Sequence, residues 1–371
     1  MMAPEQYADS SLVARVRAQL LAWYQTHGRR LPWRERQDPY GVLVSEFMLQ
    51  QTRAETVAAR YHEFLRRFPT VRALAHAGEE DVLLAWQGLG YYARARSLHQ
   101  AARQIVSEHG GSVPPDVTDL RRLPGVGRYT AGAIASLAFN RPEPILDANV
   151  TRVLARVFAV EGDPRRGSVS RRLWALAAAL VPSDDPRTFN SAAMELGALI
   201  CTSRAPACGR CPLSSDCRAH RQSAVDRFPG RPAPSAVEEV EDVAVFLQRG
   251  DAFLLVRRRL GGLWPGMWEL PRVRRCADEA REDAARRAAR DVCGVRARMR
   301  GQVAAVRHRV TRYRVLLTAW DVEWFCGEPQ PLRCAETAWT TEAQWERFAL
   351  SSPQRRLIRA VLAALAQPRL L

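Results

Sequence analysis

Several residues in this 371-residue chain have the type and spacing to do chemistry. Glu46 lies in Val42-Leu43-Val44-Ser45-Glu46-Phe47-Met48-Leu49, with apolar residues on both sides. A carboxyl group in that setting is desolvated, so its pKa rises and it can stay protonated near neutral pH as a general acid. The competing reading is a glutamate on the wet face of an amphipathic helix. Asp147 follows Pro144-Ile145-Leu146 and precedes a helical pattern from Ala148 to Leu154. Aspartate is a preferred N-cap, and the positive potential of a helix N-terminus holds a carboxylate ionised, which suits a group that stabilises a positive transition state. A third group is Cys201-x6-Cys208-x2-Cys211-x5-Cys217, with Pro206 and Pro212 shaping the loop and Arg204, Arg210 and Arg218 adding positive charge. Four thiolates at this spacing form a metal signature, open to zinc or to a [4Fe–4S] cluster. Cys276, Cys293, Cys326 and Cys334 are scattered and read as buried thiols rather than a disulfide framework.

The charge balance narrows the partners. There are 55 basic against 39 acidic residues, a net charge of +16, so an anionic polymer comes first and a membrane surface second. No apolar run reaches the roughly 18 residues of a spanning helix, and Met1 to Arg17 lacks the apolar stretch of a signal peptide, so a soluble cytoplasmic protein is expected. Every basic residue is arginine: the chain contains no lysine, and no side-chain amine is available for a Schiff base.

Other stretches fit a nucleic-acid partner. Leu123-Pro124-Gly125-Val126-Gly127-Arg128-Tyr129-Thr130-Ala131-Gly132 places a Pro-Gly-Val-Gly turn between helical patterns. Its free N–H groups can hold a phosphate as a helix-hairpin-helix, or it is an ordinary tight turn. Trp33 and Arg34 form either a base-stacking pair or a packed corner. Gln50-Gln51-Thr52 either caps a helix or probes a groove. Gly88-Leu89-Gly90-Tyr91-Tyr92-Ala93-Arg94-Ala95-Arg96 sets an aromatic pair beside two arginines, suited to stacking and phosphate contact with one tyrosine in the core.

The elements that must position these groups follow from periodicity. Residues 10–27 read as a helix, helical patterns fill 54–110, and strand-like alternation is absent to about residue 220, so the first half is all-α. Phe228-Pro229-Gly230-Arg231-Pro232-Ala233-Pro234-Ser235 reads as a linker. Beyond it, 243–248 and 252–257 read as strands about Arg249-Gly250-Asp251, 301–324 supplies more, and helices over 278–291 and 353–366 complete an α+β domain.

Taken together, these motifs resemble the MutY family of adenine DNA glycosylases, in the helix-hairpin-helix superfamily that includes endonuclease III. The resemblance rests on Leu31-Pro32-Trp33-Arg34, Ser45-Glu46-x-Met48-Leu49-Gln50-Gln51-Thr52, Gly88 to Arg96, Leu123 to Gly132 and the cysteine spacing, in family order. It implies a multidomain protein: an all-α glycosylase region over 1–221, with a six-helix domain at about 32–140 and a module of the N-terminal segment plus 141–221 holding a [4Fe–4S] cluster. A linker at 222–239 and an α+β Nudix-like lesion-recognition domain over 240–371 follow.

The implied activity is removal of adenine mispaired with 8-oxoguanine or guanine in duplex DNA. Glu46 matches the acid that protonates adenine and Asp147 the carboxylate that stabilises the sugar cation. Tyr129 matches a position near the sugar, and Asn149 a polar neighbour of the aspartate. Leu31, Trp33, Arg34, Gln51, Thr52, Leu89, Tyr91, Gly125 and Gly127 fall on the DNA or base side, with Gln51 and Tyr91 entering the helix. Lyases of the superfamily carry lysine where Tyr129 stands, so a monofunctional glycosylase is expected. Gly261 to Pro271 fits the Nudix-like domain, whose helix at Arg287 to Gly294 lacks most metal-binding carboxylates, so it should bind rather than hydrolyse. Two departures stand out. The lesion-reading loop is often Phe-Ser-His, whereas this chain has Val310-Thr311-Arg312, in which Thr311 keeps a hydroxyl; and Ala148 stands where glycine is common. A glycosylase for thymine and an inactive Fe–S DNA-binding protein are the rivals, and no heptad pattern predicts assembly beyond a monomer.

Overall fold

The computed structural model describes residues 9–35, 38–230 and 236–366; residues 231–235 of the expected linker lie outside these. In chain order the helices are α1 (Ser10–His27), α2 (Pro32–Glu35), α3 (Pro39–Leu49), α4 (Ala54–Arg67), α5 (Val71–His76), α6 (Glu79–Ala85), α7 (Ala93–Glu108), α8 (Val117–Leu120), α9 (Arg128–Phe139), α10 (Ala148–Val157), α11 (Gly167–Leu180), α12 (Pro186–Leu199) and α13 (Arg218–Arg221). Then come β1 (Glu238–Arg249), β2 (Ala252–Arg257), β3 (Trp268–Glu269), β4 (Arg272–Arg274), α14 (Arg281–Cys293), β5 (Arg296–Val310), β6 (Tyr313–Cys326), β7 (Glu336–Thr341) and α15 (Ser352–Ala366). No described helix is long and apolar enough to cross a membrane.

Local chemistry starts these helices. Asp38 caps α3 by accepting from the Gly41 N–H at 3.0 Å, with Pro39 at the first position. Asp185 caps α12 through Thr188, again followed by proline. Each cap satisfies an N–H that the helix leaves free, worth about 1 kcal/mol. Proline there costs nothing, because its position has no helical acceptor.

Packing divides the chain into two units, Met1–His76 with Ser97–Ala233, and Ala77–Arg96 with Pro234–Leu371. In the first, α3 packs on α9, while α12 packs on α1, α9 and α10. Leu20, Leu154, Leu173, Leu176, Leu196 and Phe158 fill one core here, and Leu43, Phe47, Tyr61 and Phe64 are also buried. The expected linker is shorter than composition implied. Phe228 is buried in that core and the Gly230 N–H donates to Gly162 O at 3.1 Å, so the chain stays packed to residue 230.

The second unit is a sheet of order β3-β2-β1-β6-β5, with β4 on β1 and β7 on β2. β1 and β6 run parallel and β5–β6 antiparallel through a two-residue turn at Thr311-Arg312. α14 covers one face, bringing Ala288 and Val292 to Val243, Val245 and Leu254; α15 brings Leu357 to the core of Ala244, Phe246, Leu255 and Leu317. The strands expected over 301–324 are therefore two long ones. A contiguous division at residue 221 is also not how the chain packs, because α6 and the loop after it belong to this unit. Trp86 is buried, the Trp268 Nε1–H donates to Glu80 at 2.8 Å, Gln87 donates to Phe348 O at 2.9 Å, and the Tyr92 hydroxyl donates to Leu350 O at 3.2 Å.

Candidate active site

One cleft of the first unit is lined by Glu46, Tyr129, Asp147 and Asn149, with Leu31, Trp33, Arg34, Gln51 and Thr52 on its walls. Residues a hundred positions apart meet because α3 carries Glu46 against α9, whose first turn carries Tyr129, while the start of α10 carries Asp147 and Asn149. α12 closes on α10 at a glycine. A Cβ at Gly197 would stand 2.6 Å from Asn149 Cβ and 2.9 Å from its carbonyl oxygen.

The two carboxyl groups differ in how their oxygens are bonded. Glu46 is 2% exposed, and its Oε2 has no hydrogen-bond partner among the described residues. Burial pushes its pKa up and Asp147 adds to this, while the Tyr129 hydroxyl and the Arg34 guanidinium pull back; the result is about 7. Asp147 instead caps α10, with Oδ1 accepting from the Val150 N–H at 2.6 Å and Oδ2 from Asn149 Nδ2 at 2.9 Å. Burial still leaves its pKa above the ordinary carboxylate value, against these bonds and Arg152. Asp147 is the helix cap that the spacing predicts, and donors from Val150 and Asn149 favour the anion while desolvation opposes it. The Tyr129 phenol is raised well above its usual range by burial and then by Glu46 and Asp147, so it stays a neutral donor.

Sequence reasoning missed Glu195. It is 1% exposed and accepts from the Arg29 backbone N–H at 3.0 Å, Arg29 Nε at 2.7 Å and Arg34 Nη2 at 2.9 Å. Burial raises its carboxyl, but the Arg29 bonds and the Arg34 charge prevail and hold it below the usual value. Its signal was present: a lone glutamate in the apolar run Ala192-Ala193-Met194-Glu195-Leu196, like the one that singled out Glu46. Arg34 also lies over the Tyr24 ring at 5.6 Å, and Trp33 packs edge-on to Tyr61 while lining the cleft.

The remaining candidates lie at the cleft rim or outside it. Gln50 caps the end of α3, and Gln51 follows exposed, with φ of 58°. In the second unit Tyr91 is 49% exposed with φ of 46°, between Gly90 and the buried Tyr92. Leu89 is buried, so it packs rather than faces solvent. The expectation that both arginines after Tyr92 serve phosphate is corrected. Arg94 is buried against Trp86 and Tyr91 and donates to Leu89 O and Gly90 O, burial lowering its pKa to about 10; Arg96 pairs with Glu79 at 2.9 Å. Gly125 needs its positive φ of 77°, and a Cβ there would strike Ser97 at 2.6 Å; Gly127 caps α9 with no side-chain bond. Thr311 is exposed at the β5–β6 turn.

The four clustered cysteines line one cavity beneath α10 and α12. Among the described residues no three His, Cys, Asp or Glu side chains converge as one metal ion requires. Four thiols lining one cavity suit an iron–sulfur cluster or a zinc ion. The guanidinium at the thiols is the buried Arg156, with Nη1 3.3 Å from Cys201 Sγ, rather than the sequence neighbours Arg204, Arg210 and Arg218. Burial raises the free Cys211 thiol to about 11, so cluster binding must displace its proton.

Comparison with known proteins agrees with this geometry. Residues 44–179 match the HhH-GPD superfamily base excision DNA repair protein model, 201–217 the iron-sulfur binding domain of endonuclease III, and 242–360 the NUDIX domain. The chain thus carries the segment of a [4Fe–4S] cluster, and Cys201, Cys208, Cys211 and Cys217 fall within the matched residues. The adenine DNA glycosylase of Schizosaccharomyces pombe is 33% identical over 321 residues, covering 70% of each chain. That of Homo sapiens is 44% identical over 247 residues, 64% of this chain and 45% of that one. The chain spans about half the length of several relatives it matches, 47% for the Rattus norvegicus protein. Among solved structures, a thermostable thymine-DNA glycosylase matches with TM-score 0.52 and 30% identity, over 57% of this chain and 98% of that one. Endonuclease III bound non-covalently to DNA shares the fold at TM-score 0.50 and 21% identity, over 60% and 99%. A helical core with Glu46 and Asp147 in one cleft, an iron–sulfur segment and a Nudix domain occur here in one chain, and the chain belongs to the adenine DNA glycosylase family.

Proposed function

We propose that this protein is a monomeric, monofunctional DNA glycosylase of base excision repair. It flips adenine mispaired with 8-oxoguanine or guanine out of duplex DNA and hydrolyses its N-glycosidic bond. The observation that carries the reading is the pair Glu46 and Asp147 in one cleft, one carboxyl with its pKa near 7 and an unpartnered oxygen, the other with both oxygens hydrogen-bonded. Cleaving the bond sends its electron pair into the base and builds positive charge on the sugar. Glu46 gives a proton to the departing adenine, and Asp147, oriented by Asn149 and Val150, stabilises the sugar cation until water adds. Tyr129 contributes a neutral hydroxyl beside both.

Flipping costs a few kcal/mol of stacking and pairing, so inserted side chains must fill the gap. Gln51 and Tyr91 are suited to insertion. Both are exposed and held at positive φ, a backbone state that costs non-glycine residues roughly 1–3 kcal/mol and concentrates at functional sites. Leu31, Trp33, Arg34 and Thr52 line the base cleft, Gly125 and Gly127 hold a phosphate, and the [4Fe–4S] segment braces α10 and α12. We assign residues 1–221 to catalysis, apart from the 77–96 segment packed on the second unit, and 240–371 to lesion recognition, with Thr311 at the reading turn. Carboxylates of α14 are already engaged, Glu282 and Asp283 by Arg286 and Asp291 by Arg290, which supports binding over hydrolysis there. The protein acts in the cytoplasm, on the nucleoid if its cell is bacterial.

Single-turnover base release tests this on duplexes carrying A opposite 8-oxoguanine, A opposite G, and T opposite G. Release from the first two supports the reading. Release from T opposite G alone would move the protein to thymine chemistry, and none from any would leave a DNA-binding protein.

A further inference from the structure

The acid, Glu46, shares its cleft with the charged side chains of Asp147, Arg29, Arg34, Arg53, Glu55, Arg187 and Glu195, and with the Tyr129 phenol. Arg34 is the cation whose field on Glu46 is felt most. What fixes Arg34 is Glu195, buried in α12 and bonded to the 29–34 segment through the Arg29 backbone N–H, the Arg29 guanidinium and Arg34 Nη2. A second bond from Arg34 Nη1 to Arg29 O at 3.3 Å closes the loop on itself. A buried carboxylate holding two guanidinium groups is costly unless geometry repays the desolvation. In this cleft it also sets how much positive potential reaches Glu46.

We propose that Glu195 is a positioning residue that holds Arg34 on the cleft wall and partly cancels its charge, and thereby tunes the pH range in which Glu46 acts as an acid. This rests on Glu46 being the proton donor in adenine release. Replacing Glu195 by glutamine keeps an acceptor for the guanidinium groups but removes the negative charge. More positive potential then reaches Glu46, which ionises at lower pH. Replacing Arg34 by glutamine does the reverse, removing the cation and leaving Glu195 bonded to Arg29.

The test is the pH profile of single-turnover adenine release from A opposite 8-oxoguanine, for the full chain with its cluster and for Glu195→Gln and Arg34→Gln. Glu195→Gln should move the high-pH fall of the rate to lower pH, and Arg34→Gln to higher pH, each by about half a unit or more. Opposite shifts cannot come from general damage, which lowers the amplitude at a fixed midpoint. Reduced rates with unmoved midpoints, or shifts in the same direction, overturn the proposal. If Glu195→Gln does not fold, the Arg34→Gln shift decides alone, and an unmoved midpoint there overturns the proposal. Absence of adenine release from the unaltered protein would instead strike the function, so the two failures are distinct.

Discussion

Gly197 of α12 lies so close to Asn149 of α10 that a methyl group in place of its hydrogen would come within 2.6 Å of Asn149 Cβ. Asn149 Nδ2 in turn donates to Asp147 Oδ2 at 2.9 Å. A residue with no part in the chemistry therefore fixes the carboxylate's orientation. Gly197→Ala should lower single-turnover adenine release by about tenfold or more, since misplacing a positioned group by an ångström is costly. Overpacking should cost about 1–3 kcal/mol of stability. Wild-type rates in a folded variant would show that helix contact does not set the site.

Glu46→Gln should abolish most base release and yet stabilise the fold above neutral pH. The folded pKa of Glu46 is raised to about 7 from an ordinary value near 4.5. The folded state therefore binds its proton more tightly than the unfolded chain. The stability this gives is fully present below about 4.5 and is lost as pH rises through about 7, an amount on the order of 3 kcal/mol at 1.36 per unit. Denaturation midpoints at pH 5 and pH 8 check this: the variant should gain on the parent at the higher pH and not at the lower. Equal shifts at both would refute the buried-acid account.

A chain without lysine should form little covalent adduct with DNA under borohydride, whatever its rate of base release. The structure places a phenol, Tyr129, beside the two carboxyl groups. Good trapping yield would mean that another amine reaches the sugar.

Arg94→Ala should loosen the Gly88–Tyr91 loop. Arg94 packs on Trp86 and Tyr91 and donates to the carbonyls of Leu89 and Gly90, so its loss removes two bonds and two ring contacts that hold the loop around the positive φ of Tyr91. Hydrogen exchange should speed at residues 88–92, and affinity for mismatched duplex should fall about tenfold, the 1.4 kcal/mol of one or two lost bonds. Unchanged exchange would rule out the brace.

Cys211→Ser should lower bound iron from about four per chain and bleach the charge-transfer absorbance. Because the cluster cavity is walled by Val153 and Arg156 of α10 and Leu196 of α12, the variant should also lose thermal stability. Zinc in place of iron would contradict the cluster.

The local code determined much of this protein. Asp147, Asp38 and Asp185 announce helix starts because a short side-chain acceptor before an apolar run has few other uses, and α1 follows its apolar spacing from Ser10 to His27. The cysteine spacing and the missing lysines are likewise complete in one dimension. Glu46 was legible because a lone carboxyl in an apolar run implies desolvation. The same pattern at Glu195 was passed over, since its meaning depends on Arg29 and Arg34, more than 150 residues away. Only tertiary structure could decide that Arg94 braces a loop rather than meets phosphate, that Arg156 serves the thiols, and that α6 packs with the C-terminal sheet. Periodicity reports which face of an element is buried; charge partners, desolvation and unit boundaries are set by what the fold brings against that face.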